Sequence, residues 1–130
     1  MSAVTNHYLD IRSYRDQRIG ELPLTSAVLN ERHDDIMLRT IHKSMELHSS
    51  IYGPPPSPFC FFLMGSAGRK EQGVWSDQDH GIIYDSSSDE TKLYFVSLGE
   101  EISAGLAVTG YKLCDGKVMA SNPFWCRSRK

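Results

Sequence analysis

The chain lacks most of the features that place a protein at first reading. No segment of its 130 residues approaches a membrane span, and the N-terminal MSAVTNHYLDIRSYRDQR has no apolar core of signal-peptide length. Cysteine is scarce. Cys60, Cys114 and Cys126 are odd in number, widely spaced and without a CxxC, which argues against a disulfide framework or a zinc site and fits a reducing cytosol. An excess of positive charge is missing too: 14 Lys and Arg stand against 16 Asp and Glu, so no general basic field calls for nucleic acid. His33, His42 and His48 do not make a metal site, because their spacings of 9 and 6 miss the three or four that share a helical face. No internal repeat is present.

What remains is one soluble domain of ordinary composition, 40% hydrophobic and 23% charged. Residues 1–22 read as one helix stopped near Gly20 and Pro23, and Thr25 or Ser26 can cap a longer helix reaching Tyr52. Met37, Ile41 and Met45 form a helical stripe on it. The run Gly53-Pro54-Pro55-Pro56-Ser57-Pro58 stops that helix and favours a stiff extended connector. We therefore expect a helical arm over 1–52, a connector over 53–58 and a core over 59–130. In the core, Ser87-Ser88-Asp89-Glu90 reads as a capping box with Ser87 as N-cap, opening a helix that ends between Gly105 and Gly110. Short strands are expected on either side of a turn at Asp115-Gly116, the second over Lys117–Ala120. The Pro-aromatic segment and basic tail at the end suggest a core cut short of further sequence, with a substrate-binding region missing.

The chemistry concentrates in Phe59–Asp85, FCFFLMGSAGRKEQGVWSDQDHGIIYD. An apolar run, Phe59–Met64, has the length of a buried strand and makes Cys60 a core residue. Gly65-Ser66 follows at once, where a glycine lets backbone approach a ligand and exposed N–H groups attract phosphate. Arg69 and Lys70 add positive charge nearby. Neither a Walker A ending nor a dinucleotide fingerprint is present. Asp77 and Asp79 then flank Gln78 at the entrance to a second strand. Strand alternation puts both carboxylates on one face with Gln78 and His80 opposite, so His80 reads as a structural histidine. Paired carboxylates are costly without a cation between them, and a divalent ion is the usual partner. Singly, Gly-Ser is a turn and Ser76-Asp77 a strand entry; together, cradle and carboxylates point to metal-assisted phosphoryl or nucleotidyl transfer.

This order of apolar strand, Gly65-Ser66, ten residues, Asp77-x-Asp79 and apolar strand resembles the DNA polymerase beta-like nucleotidyltransferase superfamily. More narrowly, Gly65–Gln72 with Ser76–Asp79, and the later Gly110, Cys114, Gly116, Val118-Met119-Ala120 and Asn122-Pro123-x-Trp125, resemble nucleotidyltransferases related to protein-PII uridylyltransferase, often found with CBS domains. The resemblance implies an α/β (α+β) fold with a mixed sheet flanked by helices. It implies that Gly65, Ser66, Arg69 and Lys70 bind a nucleoside triphosphate, and that Asp77 and Asp79 are catalytic and ligate Mg²⁺ or Mn²⁺. A nucleoside monophosphate would pass to a hydroxyl of a protein or small molecule, in a cytoplasmic signalling setting. One departure stands out. The superfamily brings a third carboxylate from a later strand, and Lys117–Ala120 has none. Asp85 lies six residues past Asp79, about 20 Å along a strand, which is too far. Either the third acid lies beyond Lys130, or Asp115 in its turn substitutes, or the chain is the alternative, a regulatory nucleotide-binding module with weak or no catalysis.

Overall fold

In a computed structural model of the chain, residues 3–20, 26–63, 78–111, 119–122 and 125–129 are described. Helix α1 runs Ala3–Gly20 and α2 runs Ser26–Tyr52, as the stop signals at Gly20 and Gly53-Pro54 predict. Strand β1 (Phe59–Leu63) leads to β2 (His80–Tyr84), then helix α3 (Asp89–Thr109), then the short strand β3 (Cys126–Ser128). The sheet order is β1-β2-β3, with β1 antiparallel and β3 parallel to β2. Parallel pairing needs a crossover, which α3 supplies. A mixed sheet packed against helices agrees with the α+β class expected, and no described helix is long and apolar enough to cross a membrane.

Helix α3 begins one residue later than the capping-box reading places it. Ser88, not Ser87, is the N-cap, its side chain accepting from the Thr91 N–H. Asp89 and Glu90 then sit in the first turn, where the helix dipole favours acids. The helix ends at Gly110, whose φ of 112° is open to glycine and costly for other residues. The Tyr111 N–H turns back to the Leu106 carbonyl at 2.8 Å and closes the end. Midway along α3, Gly99 lies flat against the backbone of Ala120, where a side chain would collide. That close approach lays residues 119–122 along the helix. Met119 and Ala120 form a bend and a turn, so the strand expected over Lys117–Ala120 does not include them, and 117–118 lie outside the described residues. The strand beside β2 is Cys126–Ser128 instead.

One cluster joins the helices to the sheet: Ile19 of α1, Ile36, Met37 and Ile41 of α2, Phe95, Leu98, Ile102 and Leu106 of α3, and Ile82 and Tyr84 of β2. Phe95 is fully buried between the rings of Phe59, Tyr84 and Tyr94. Burial of a ring this size contributes about 2–3 kcal/mol. Among the described residues, one face of the sheet is packed in this way. Phe59, Phe61 and Leu63 turn toward the cluster, while Cys60 is exposed and Ile83 remains 44% exposed. The unbroken apolar run of β1 suggests burial on both faces, and the expectation that Cys60 is a core residue is corrected here. Its position in the alternation puts it on the open face.

Candidate functional site

The open face and the start of β2 are where the predicted chemistry falls. In the antiparallel pair, Leu63 at the end of β1 is the Cα partner of His80 at the start of β2. The chain that leaves β1 toward Gly65-Ser66 therefore departs from the same end of the sheet at which Gln78 and Asp79 enter β2. Gly65, Ser66, Arg69, Lys70 and Asp77 lie outside the described residues, as do Glu71, Gln72, Trp75, Ser76 and Asp115. Asp79 is described.

Asp79 is partly exposed, and both residues beside it are buried. Gln78 is 1% and His80 0% exposed, both turned toward α3. Alternation leaves Asp79 on the opposite face, shared with Gly81 and Ile83. On that face the ring of Phe62 and the Trp125 carbonyl lie close over Gly81, where a side chain would collide. From there a groove of about 380 Å³ continues along the face, with Phe62, Ile83 and Trp125 in its wall and Arg127 and Arg129 at its edge.

The inward side of the same three residues forms a closed polar network. The Ala120 N–H donates to His80 Nδ1 at 2.9 Å. That nitrogen is therefore unprotonated, and the ring proton sits on Nε2, which donates to Gln78 Oε1 at 2.9 Å. The Gln78 amide nitrogen spends its two protons on the carbonyls of Ser103, at 2.9 Å, and Tyr111, at 3.1 Å. Burial pushes the His80 pKa down to about 4, so the neutral ring that this pattern requires is the form present near neutral pH. The ring of Phe61 packs against His80 at 5.1 Å. His80 is a satisfied structural histidine, as its place in the alternation predicts.

Sequence reasoning passed over Gln78. The signal was available: a polar residue at an inward position beside an inward histidine, leading into a buried strand, must find partners there.

The third-acid question also changes shape. The strand beside β2 sets Arg127 opposite Ile83, on the face that Asp79 shares, and no acid. Asp85 stands past the far end of β2, 3.1 Å from Arg129 Nη2. Among the described residues no group of three or more His, Cys, Asp or Glu side chains could hold a metal. Asp79 itself offers the hard oxygen ligand that Mg²⁺ or Mn²⁺ takes, and Asp77 is a second such residue in the sequence. The donor chemistry fits a divalent ion.

Comparison with known proteins decides the family. The model of the family described as "Putative nucleotidyltransferase DUF294" matches residues 18–130. The chain belongs to this family. The match covers α2, the sheet and α3, and takes in only the last turn of α1. No curated protein and no solved structure matches the chain. A nucleotidyltransferase family points to an enzyme acting on a nucleotide substrate.

Proposed function

We propose that the protein is a metal-dependent nucleotidyltransferase that moves a nucleoside monophosphate from a nucleoside triphosphate to a hydroxyl of a protein or small molecule, in the manner of protein-PII uridylyltransferase. The observation that carries this reading is the Leu63–His80 pairing. It starts the Gly65-Ser66 segment at the sheet end where Asp79 stands on the open face.

In this reading the backbone N–H groups at Gly65-Ser66 and the Ser66 hydroxyl hold phosphate oxygens, and Arg69 and Lys70 offset their charge. Asp77 and Asp79 hold the divalent ion, which when bound neutralises triphosphate charge and favours the deprotonated acceptor. The acceptor oxygen forms a bond to the α-phosphorus, the α–β bridging bond breaks, and pyrophosphate leaves with that electron pair. The hydroxyl proton passes to solvent or to a carboxylate.

A second reading has one observation in its favour. Arg127, and no acid, stands on the neighbouring strand, which suits a regulatory module that binds nucleotide and turns it over poorly.

A thermal melt with each nucleoside triphosphate, with and without Mg²⁺, tests both against the Asp77→Asn/Asp79→Asn protein. A metal-dependent rise in melting temperature, lost in the double variant, is the expected result. A wild-type melt unmoved by every nucleotide would remove both readings. Pyrophosphate release in the presence of an acceptor separates the first from the second.

A further inference from the structure

Asp79 is held by its two neighbours in a way that exceeds what packing needs. Their side chains are bonded to each other and, through Gln78, to carbonyls at two separated points, Ser103 inside α3 and Tyr111 just past its end. His80 is bonded in addition to the Ala120 backbone, which Gly99 admits to the surface of α3. Each donor and acceptor in this set has one direction only. Gln78 cannot flip its amide without aiming its oxygen at two carbonyls, and a flip of the His80 ring would put C–H groups where Nδ1 and Nε2 now meet Ala120 and Gln78. An apolar pair such as Leu and Phe would fill the same inward positions without fixing the peptide groups between them. A network of this kind on both sides of a partly exposed carboxylate fixes the backbone from which that carboxylate projects.

We propose that Gln78 and His80 are positioning residues, which set the direction of the Asp79 carboxylate toward a divalent cation by anchoring both flanking residues to α3 and to each other. The inference rests on the reading of Asp79 as a cation ligand. It adds that the geometry is imposed from the buried side of the strand. The bond that matters most is the one from His80 Nε2 to Gln78 Oε1, because it joins the two anchors across Asp79.

The test compares three variants with the wild-type chain. Gln78→Met keeps the length and loses every bond of the amide. His80→Gln can keep a donor toward Gln78 while giving up the acceptor for Ala120, and His80→Asn does the reverse. Mn²⁺ alone is titrated and followed by water-proton relaxation, well below each melting temperature. Hydrogen exchange of the Asp79 amide is read by NMR on the same samples.

Gln78→Met and His80→Asn are expected to weaken Mn²⁺ binding at least tenfold and to speed Asp79 exchange. His80→Gln is expected to stay within about threefold of wild type on the general strength of charge-neutral hydrogen bonds. A folded Gln78→Met with wild-type Mn²⁺ binding and wild-type exchange overturns the proposal. Should Gln78→Met fail to fold, equal effects of His80→Asn and His80→Gln overturn it. A wild-type chain that binds no Mn²⁺ removes the reading of Asp79 as a ligand. The exchange of its amide then decides positioning alone, with an unchanged rate in the variants counting against it.

Discussion

Tyr111 and His33, 78 residues apart, share a hydrogen bond of 2.8 Å between the phenol oxygen and Nδ1. Both are fully buried, and the Arg15 guanidinium lies over the Tyr111 ring at 5.5 Å. Because the Tyr111 carbonyl also receives the Gln78 amide, one residue ties α1 and α2 to the start of β2.

Tyr111→Phe removes the hydroxyl and leaves the His33 nitrogen buried without it. The expected loss is about 1–3 kcal/mol of unfolding free energy, read by urea denaturation with an unchanged m-value. A loss under roughly 0.5 kcal/mol would show that the bond contributes little beyond solvation.

Acid should destabilise the fold before any carboxylate titrates fully. His80 has its pKa lowered to about 4 by burial, against about 6.5 in the unfolded chain. Between those values the unfolded chain binds a proton that the folded chain refuses, so stability falls as pH drops from about 6.5 toward 4 and is level above 6.5. His48, also lowered by burial, acts in the same sense. Urea unfolding at pH 7.5 and 5.0 should differ by about 2 kcal/mol from His80 alone. His80→Gln should flatten much of the slope, and equal stability at the two pH values would contradict the assignment.

The two described thiols should differ sharply in reactivity. Cys60 is exposed on the open sheet face, whereas Cys126 is 1% exposed with its thiol pushed up to about 12 by burial. In a Cys114→Ser background, a thiol reagent at pH 8 should label Cys60 at once and Cys126 on unfolding, with rates roughly a hundredfold or more apart. Equal labelling of both in the native protein would mean that the sheet face is assigned the wrong way round.

Much of this molecule was legible in the order of its residues. Gly20, Pro23 and the Gly53–Pro58 run bound the two long helices, and the Phe59 and Gly81 runs mark strands because their apolar residues have no helical period. The face that Asp79 takes followed from alternation alone. The third strand was not legible. Cys126–Ser128 is three residues of mixed polarity, and only its pairing with β2, reached after a crossover, makes it a strand. The buried face of α2 was half legible. Ile36, Met37, Ile41 and His48 announce it, but His33, Thr40 and Ser44 share it, and their polarity gives no sign of burial until their partners are known. Cys60 misled because five apolar neighbours suggest burial on both sides of a sheet that is packed on one.

Those polar residues of α2 also set a register. Tyr8 of α1 meets Ser44 at 2.8 Å, Thr109 at the end of α3 meets Thr40 at 3.2 Å, and Tyr111 meets His33. An apolar stripe alone would tolerate a slide of one helical turn, about 5.4 Å, with another leucine or isoleucine taking each place. Here such a slide would part three buried polar pairs together. The three helices thus meet in one alignment, and the sheet end that carries Asp79 inherits its place from that alignment.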